Sequence, residues 1–564
     1  MSSDNAWNMY IFRDGRRIVP GRQLTASLAR RLRALVDSPA DPELTLSALL
    51  EAGELEAALA DMASPDLPRV QSITDSLASL LLAPSLAGCW TSRLLDLLAE
   101  VTPPPQAQIS PHEGFAYYAL HPLDFGELAG SIPNAPSYAI IGIRSIGTTL
   151  SAMTAAHLKT RGVSADRITV RPFGHPYDRR TTFTADQVAW VGAHRDRRSQ
   201  FVIADEGPGI SGSSFLSVAD ALIAAGVEPG HITFLCSRQP DSEHLRAPNA
   251  AQRWLAIRAF YLDSTRRVPP EAALYLGAGA WRAHFLPDPA QWPASWITME
   301  RIKFLSADGR WLFKFEGLGH FGETLHARAQ LLAEAGFSPP PTKCQHGFIA
   351  YPTIAGAPLW QPHLNQVILD RIAEYCAFRA AHLPAPHAPL TELQTMVRVN
   401  LREEFGLDDH ALVSALECAD PVIADGRMLP HEWISTAERI FKVDGVGHGD
   451  DHFFPGPTDI AWDLAGAIVE WRLDAQASEY LLQRYRQLRG GRGVSHRVRA
   501  FLLAYSVFRM AFCKMGTAAM RGTEEEPRLQ TACAGYRRLV AAQLSQTLKS
   551  SAQPVVWSCQ FQVA

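Results

Sequence analysis

The sequence has few cysteines for its length, and no two of them form a C-x-x-C pair. Eight cysteines are scattered through 564 residues, a pattern that fits neither a disulfide framework nor a zinc ribbon. Long basic runs are missing as well, and the net charge is −4. We therefore do not expect non-specific nucleic-acid binding as the main role, although a small polyanionic substrate needs only a few local arginines.

Long apolar runs are also absent. Residues 1–19 lack a signal-peptide apolar region, and the most apolar late stretch, 501–520, is interrupted by Arg509 and Lys514. Neither pattern suits a membrane span, so we expect a cytoplasmic protein that needs no membrane. The composition, 47% apolar and 20% charged, is that of a globular chain, and its length predicts roughly two to four domains.

Three regions with different patterns follow one another, which predicts a multidomain α/β protein. Residues 1–105 are mainly helical, because leucine recurs at helical spacing before a Thr-Pro-Pro-Pro linker. We interpret this region as a packing or dimerisation module, which leaves a homodimer open. Residues 106–285 alternate apolar strands with helices, the pattern of a parallel sheet. Residues 295–548 begin with a hairpin at 300–315 and continue as mostly helical α+β structure.

The most informative segment is 201–214, which reads Phe-Val-Ile-Ala-Asp-Glu-Gly-Pro-Gly-Ile-Ser-Gly-Ser-Ser. A buried strand would deliver Asp205 and Glu206 to its carboxyl end, where ligands bind in such sheets. The Gly/Ser loop lets backbone N–H groups approach an anion, and the helix expected over 215–226 adds its positive N-terminal end. Acids for sugar hydroxyls beside a cradle for phosphate predict a site for a ribose 5-phosphate.

A second anion-holding turn supports this prediction. Gly-Ile-Arg-Ser-Ile-Gly-Thr-Thr at 142–149 follows the strand expected over 138–143 and opens a helix. Its Arg144 offers a planar fork suited to phosphate oxygens. The polar segment 171–180 leaves the next strand, 167–170, as a loop.

These segments resemble type I phosphoribosyltransferases, which use 5-phosphoribosyl-1-pyrophosphate (PRPP). The resemblance implies that Asp205 and Glu206 bind the ribose hydroxyls, directly or through Mg²⁺. It implies that Arg144 and Ser145 hold pyrophosphate, with Arg144 catalytic, and that loop 171–180 closes over the site. The implied cradle for the 5-phosphate consists of Gly209, Ser211, Gly212, Ser213 and Ser214.

This sequence departs from the family in one respect. Four residues, 207–210, separate the acid pair from Ser211-Gly212, where the family usually has three before its Thr-Gly. The position of a general base is therefore left open. So is the simpler interpretation of 201–214 as an ordinary nucleotide-binding turn.

The third region contains another dense cluster, Gly-His-Gly-Asp-Asp-His-Phe-Phe at 447–454. It resembles the His-Gly-Asp-x-His catalytic loop of aminoglycoside phosphotransferase-like kinases. The segment 311–315 resembles the strand of that family that carries the ATP-binding lysine. The segment 458–465 resembles the family's metal-binding Asp and its later Asp-Leu-Ala motif, here close together in the sequence. The resemblance implies a protein-kinase-like fold over 295–548. In that fold Asp450 would be the catalytic carboxylate, Lys314 would bind ATP, and the Mg²⁺ ligands would be Asp459 and Asp463.

Pro455 stands where that family has an asparagine, so an inactive pseudokinase is a second interpretation. His448, Asp450, Asp451 and His452 also suit a hydrolytic metal centre. Residues 317–322 match a Gly-x-Gly-x-x-Gly dinucleotide fingerprint, but no strand with an acid follows them at the required distance.

The sequence thus predicts a bifunctional small-molecule enzyme. One half would transfer phosphoribose from PRPP to an unidentified acceptor, and the other would phosphorylate a related metabolite with ATP. The alternative is a regulator that senses PRPP or a nucleotide and contains a pseudokinase domain.

Overall fold

The computed structural model describes residues 3–12, 15–262, 267–286, 288–450, 452–453, 456–490 and 493–550. The N-terminal region is helical, as predicted. Its helices are α1 (Gly21–Asp37), α2 (Pro42–Asp61), α3 (Leu67–Leu82) and α4 (Ala87–Ala99). Strands β1 (Arg17–Val19) and β2 (Ala107–Ile109) pair with each other, so the chain on either side of α1–α4 is held together.

Helix α2 is buried on all sides, because it lies between the other two regions. Asp41 caps its N-terminus by accepting hydrogen bonds from two backbone N–H groups. A Cβ atom on Gly53 would lie 2.1 Å from Oγ1 of Thr149, and a Cβ on Gly319 would lie 3.2 Å from Leu50. Helix α2 therefore contacts both the second and the third region at close range.

The second region contains a five-stranded parallel sheet. Two short helices, α5 (Glu113–Tyr117) and α6 (Pro122–Ala129), precede it. The elements that follow are β3 (Ser137–Ile143), α7 (Ile146–Thr160), β4 (Ser164–Val170), β5 (Phe173–His175), β6 (Asp178–Arg180), α8 (Ala185–Asp196), β7 (Gln200–Ala204), α9 (Ser213–Ala224), β8 (Ile232–Cys236), α10 (Ala250–Leu255) and β9 (Arg258–Tyr261). The strand order is β4-β3-β7-β8-β9, and every pairing is parallel.

The four parallel strands predicted from apolar runs are confirmed. Ile140, Val202 and Phe234 are fully buried, because helices cover both faces of the sheet. Strand β9 was not predicted, since it is only four residues long, begins with an arginine and is at least partly exposed throughout. The segment 171–180 forms the hairpin β5–β6 rather than an irregular loop.

The third region contains a five-stranded antiparallel sheet followed by helices. Its elements are β10 (Ala272–Tyr275), α11 (Ala280–Phe285), β11 (Lys303–Ser306), β12 (Trp311–Phe315), α12 (Gly319–Glu334), β13 (Thr342–Lys343), β14 (Phe348–Pro352), β15 (Ala357–Pro358), α13 (Gln366–His382), α14 (Leu390–Phe405), α15 (Ala411–Ser414), β16 (Pro421–Val422), β17 (Trp433–Ser435), β18 (Ile440–Lys442), β19 (Thr458–Asp459), α16 (Ala461–Glu470), α17 (Ala475–Arg489), α18 (Val494–Ala519) and α19 (Glu525–Ser550). The sheet order is β10-β11-β12-β14-β13.

The predicted hairpin is confirmed as β11–β12, in which Lys303 lies opposite Lys314. Strand β10 pairs with β11, so this sheet begins ahead of the boundary predicted at 285. No helix in the described part of the chain is both long and apolar enough to cross a membrane.

One hydrophobic core joins all three regions. It includes Leu49 of α2, Leu150 of α7, and Phe313 and Phe315 of β12. The helical, parallel-sheet and antiparallel-sheet regions therefore pack as one body.

Candidate functional site

Asp205 and Glu206 lie at the carboxyl end of β7, a central strand of the parallel sheet. The Glu206 carboxylate accepts a hydrogen bond from the backbone N–H of Gly114, at 2.8 Å. Gly147, in the first turn of α7, packs against the same strand end. A Cβ there would lie 2.6 Å from the Ala204 carbonyl oxygen and 3.4 Å from Oδ1 of Asp205. The structure thus brings the two predicted anion-holding turns together.

The two carboxyl groups have strongly raised pKa values. Burial raises the pKa of Asp205 to about 7. Burial raises the pKa of Glu206 to about 8, and the negative charges of Glu113 and Asp205 add to that rise. Two acids without enough compensating positive charge favour binding of a cation or of hydroxyl donors, since either would stabilise the ionised form.

The segment after these acids leads into the N-terminus of α9. Gly212, with φ +68°, precedes the helix in the left-handed conformation, and a Cβ on Gly209 would meet open space. The hydroxyls of Ser211 and Ser213 donate to the Pro176 carbonyl oxygen in the turn of the β5–β6 hairpin, at 2.8 and 2.7 Å. Ser214 lies in the first turn of α9.

Arg144 and Ser145 lie beside this site but already have protein partners. The Arg144 guanidinium donates to Asp61 of α2 at 3.0 Å and to the Thr169 carbonyl oxygen at 3.2 Å. The Ser145 hydroxyl donates to the Pro111 carbonyl oxygen at 3.2 Å, and its φ is +98°. Pyrophosphate would have to replace Asp61 as the partner of Arg144.

Three further arginines place positive charge near the acids. Arg171 and Arg179 lower the pKa of Asp205, and Arg238 after β8 lowers the pKa of Glu206, against the effect of burial. Arg238 also donates to the Pro208 carbonyl oxygen at 3.2 Å. Sequence reasoning missed Arg238, although its place directly after a parallel strand was a signal for it.

In the third region, Lys314 on β12 is the centre of an ionic cluster. Its ammonium group pairs with Glu316 at 3.2 Å and with Asp444 just after β18. Burial alone would raise the pKa of Asp444, but Lys314 and His448 outweigh it and hold that pKa well below its usual range. Asp444 is a non-glycine residue with φ +60°, a conformation that functional sites often impose.

Three side chains of this cluster could hold a divalent cation. Glu432, Asp444 and His448 each offer one ligand atom, and these atoms lie within 4.8 Å of one another. Burial lowers the pKa of His448 to about 4, so its imidazole is neutral, as metal binding requires. Burial raises the pKa of Glu432 to about 7, although Lys442 opposes it. Mixed oxygen and nitrogen donors suit Mn²⁺ or Zn²⁺ as well as Mg²⁺.

Asp459 and Asp463, which the sequence predicts as Mg²⁺ ligands, both accept hydrogen bonds from backbone amides. Asp463 accepts hydrogen bonds from the backbone N–H groups of Asp425 and Gly426, at 2.8 and 3.0 Å. Asp459 accepts from the backbone N–H groups of Ala419 and Asp420. Both carboxylates are fully buried, and the acids that pair with Lys314 within the described chain are Glu316 and Asp444. The carboxylates of Asp459 and Asp463 hold loop 419–426 in place.

That loop presents Asp425, which sequence reasoning did not select. Its carboxylate is fully buried, pairs with Lys442 at 3.1 Å and accepts a hydrogen bond from the Tyr375 hydroxyl at 2.6 Å. The signal available for it was the Asp-Gly pair at 425–426, which is not specific because Asp-Gly also occurs at 14–15, 308–309 and 444–445.

Asp450 ends a short 3₁₀ turn that begins at His448, and its side chain lies outside the described residues. Asp451 and Pro455 also lie outside them. His452 is described, and its Nε2 lies 3.0 Å from the Tyr118 hydroxyl, just after α5.

The glycines at 317–322 form a packed turn and not an open phosphate loop. A Cβ on Gly322 would lie 2.0 Å from the Gly317 carbonyl oxygen. The backbone N–H of Leu318 donates to Phe115 at 2.9 Å, and the N–H of Gly317 donates to Gly347 at 3.2 Å. These amides are therefore already satisfied within the protein.

Helix α5 connects the two clusters. Glu206 accepts a hydrogen bond from its Gly114, and the Ala116 carbonyl oxygen accepts one from Arg301 at 3.3 Å. Arg301 in turn contacts Glu316 at 3.2 Å, the partner of Lys314. Continuous polar contacts thus run from one acidic site to the other.

No protein-family model and no curated protein match this chain. Among solved structures, a choline/ethanolamine kinase family protein from Mesorhizobium loti is 17% identical, with a TM-score of 0.33, over 43% of this chain and 88% of that one. The choline kinase from Streptococcus pneumoniae is 13% identical, with a TM-score of 0.31, over 42% and 89%. A spectinomycin phosphotransferase is 14% identical, with a TM-score of 0.29, over 44% and 89%. At these TM-scores the similarities decide neither the fold, nor the activity, nor the substrate of this chain.

Proposed function

We propose that the parallel-sheet region binds PRPP and transfers its phosphoribosyl group to a small-molecule acceptor. The observation that carries this proposal is the pair Asp205–Glu206, half-buried at the end of a central parallel strand and followed directly by the Gly/Ser turn before α9. The raised pKa values of both acids fit a site that a metal-bound sugar completes. The Ser211 and Ser213 hydroxyls, now bonded to Pro176, would turn to the 5-phosphate.

The reaction would separate pyrophosphate from C1 of the ribose, with positive charge developing on the sugar ring. Mg²⁺ supplies neutralisation of the pyrophosphate charge in such chemistry. Asp205 and Glu206 would hold the ribose hydroxyls and the metal ion, and their negative charge would stabilise the cationic sugar. Arg179 and Arg238 would bring positive charge to the phosphate oxygens, and the β5–β6 hairpin would exclude water.

Mg²⁺-dependent PRPP binding is expected to weaken about tenfold or more in Asp205→Asn, because one charge-assisted contact is lost. Isothermal titration calorimetry measures this without knowledge of the acceptor. In the wild type, PRPP affinity should rise between pH 6 and pH 8, because Asp205 with a pKa of about 7 must be ionised to hold a cation. Asp205→Asn should reduce that pH dependence.

The matched control is Asp196→Asn. The Asp196 side chain is 70% exposed and pairs only with its neighbour Arg195 among the described residues, so its loss should leave PRPP binding unchanged. Absence of PRPP binding by folded wild-type protein would reject the phosphoribosyl proposal.

For the third region we propose that it binds a nucleoside triphosphate together with a divalent cation. Lys314 would contact the phosphates, and Glu432, Asp444 and His448 would hold the cation, which supplies charge neutralisation for phosphoryl transfer. Lys314 now pairs with Asp444 and Glu316, the arrangement expected of a lysine that exchanges carboxylates for phosphates. Asp450 stays a prediction for the catalytic carboxylate.

Lys314→Met is expected to weaken Mg·ATP binding by about 10- to 100-fold, because a buried charge-assisted contact with phosphate is removed. Titration of Mg·ATP followed by calorimetry checks this. Lys343→Met is the control, because Lys343 is on the edge strand of the same sheet with a 54% exposed side chain. Equal affinities for wild type and Lys314→Met would contradict the assignment.

One observation favours a regulator as the second candidate. Pro455 stands where the kinases that the sequence resembles have an asparagine, a residue that holds Mg²⁺ during phosphoryl transfer. A regulator would bind Mg·ATP without consuming it, whereas a kinase would release ADP once an acceptor is present.

A further inference from the structure

A cavity of about 370 Å³ lies between loop 429–431, the segment 360–362 and helices α18 and α19. Its volume falls in the range of small-molecule sites, about 300–1,000 Å³. The loop 429–431 lies between Asp425 and Glu432 in the chain, so the cavity lies beside the proposed cation ligands of the third region. It is separate from the proposed PRPP site at the end of β7.

The walls of the cavity are flat and aromatic. Trp360, Phe512 and Tyr536 line it, together with His431. The His431 ring lies between two indoles, with centroids 5.8 Å from Trp281 and 5.8 Å from Trp360. Burial lowers the pKa of His431 to about 3, and the positive charges of Lys442 and Arg509 add to this effect. The imidazole is therefore neutral, and its contacts with the two indoles help to hold Trp360 in the cavity wall. Such walls suit a planar ring that can stack.

Among the charged side chains that line the cavity, Arg472 is available to bind a ligand. Glu470 is already satisfied, because it accepts hydrogen bonds from the hydroxyls of Tyr505 and Tyr536 and pairs with Arg509 at 3.2 Å. Arg472 also lines the cavity and is exposed. Within the described part of the chain no carboxylate pairs with Arg472. An arginine in this position can bind a phosphate in bidentate fashion.

Arg472 follows the last residues of α16 in the left-handed conformation, with φ +50°. A non-glycine residue in that conformation costs about 1 kcal/mol or more. The preceding Trp471 is almost fully buried, which anchors the backbone at this point. The guanidinium is thus presented at the cavity by a fixed backbone.

We propose that this cavity binds a ribonucleoside 5′-monophosphate, with its base stacked on the aromatic walls and its phosphate on Arg472. The inference deepens the proposed function, because phosphoribosyl transfer to a ring nitrogen yields a molecule of this class. The third region would then act on the product of the second region or on a close relative of it.

The test is calorimetric titration of uridine and adenosine 5′-monophosphates, and of the two nucleosides, into the full chain. Saturating Mg·PRPP and a non-hydrolysable ATP analogue are present throughout, so that both other centres are occupied. Arg472→Gln is expected to raise the Kd of a monophosphate at least tenfold and to leave weak nucleoside binding unchanged. Arg486→Gln, which alters an exposed arginine paired with Glu479 on α17, is expected to behave as wild type.

Equal affinities of wild type and Arg472→Gln would overturn the proposal, as would equal binding of monophosphate and nucleoside. Failure of folded wild-type protein to bind either monophosphate would also overturn it. These outcomes are separate from those for PRPP and ATP, because Asp205→Asn and Lys314→Met leave the cavity intact. Binding that depends on Arg472 in a protein that does not bind PRPP would retain the cavity and reject the transferase.

Discussion

Arg167→Leu is expected to lower the free energy of unfolding by about 3–5 kcal/mol, the cost of leaving a buried charge without its partner. Arg167 of β4 donates two hydrogen bonds to Glu56 of α2, at 2.7 and 2.8 Å, and both side chains are only 1% exposed. Loss of the guanidinium would leave the Glu56 carboxylate buried and uncompensated. The midpoint of the first urea-induced transition, followed by circular dichroism, measures the effect.

Two controls separate this ion pair from general sensitivity. The double variant Glu56→Leu/Arg167→Leu should recover much of the loss, because replacing both members of a buried pair with apolar residues is often neutral. Asp75, the other acid that pairs with Arg167, is 32% exposed, so water can solvate it in the double variant. Arg69→Leu removes an arginine that is 43% exposed and should cost about 1 kcal/mol or less. An Arg167→Leu protein as stable as wild type would show that α2 is not held to the parallel sheet by this pair.

Asp463→Ala is expected to destabilise the third region by about 3–5 kcal/mol and to abolish Mg·ATP binding. The substitution leaves the backbone N–H groups of Asp425 and Gly426 without an acceptor and removes a negative charge 3.8 Å from Arg379. Arg379 is itself fully buried. Hydrogen exchange of residues 419–426, read by mass spectrometry, should accelerate together with the loss of thermal stability.

Asp474→Ala provides the comparison for this effect. Asp474 also accepts a hydrogen bond from a backbone N–H, that of Ala477 at the start of α17, but in an exposed position. Its loss should cost about 1 kcal/mol, as for other helix caps, without effect on nucleotide binding. If Asp463→Ala bound Mg·ATP as tightly as wild type, loop 419–426 would have no part in the nucleotide centre.

Much of the parallel sheet could be predicted from the sequence, because strands buried on both faces leave continuous apolar runs such as Phe201–Ala204. Asp205 and Glu206 were predictable for a related reason, since polar residues directly after such a run lie at the ligand-binding edge. Strand β9 and Arg238 left weaker signals. One is a short, partly exposed strand, and the other is a lone arginine outside any motif.

The acids around Lys314 could not be found in this way. Lys314 and Asp444 are 130 residues apart, and no periodicity records which distant carboxylate meets a lysine. The segments 447–454 and 458–465 were predicted to hold catalytic and metal-binding residues because their sequences resemble kinase motifs. In the fold, Asp459 and Asp463 accept hydrogen bonds from backbone amides of loop 419–426. The sequence of the segment does not distinguish such a structural carboxylate from a metal ligand.

For the N-terminal region, the leucine pattern predicts helices but not what those helices pack against. Leucines at helical spacing predicted its helices, but the same spacing suits a dimer interface and an internal one equally well. The structure places Glu56 and Asp61 of α2 against Arg167 and Arg144 of the parallel sheet. Packing within the chain is therefore one use of these helices.

The shared core determines whether the three regions could exist as separate proteins. Phe313 and Phe315 of β12 are buried in the same cluster as Leu49 of α2 and Leu150 of α7. A gene for any one region alone would encode a protein with a large exposed apolar face, which favours aggregation. The three regions are therefore expected to fold together, because each covers apolar side chains of the others.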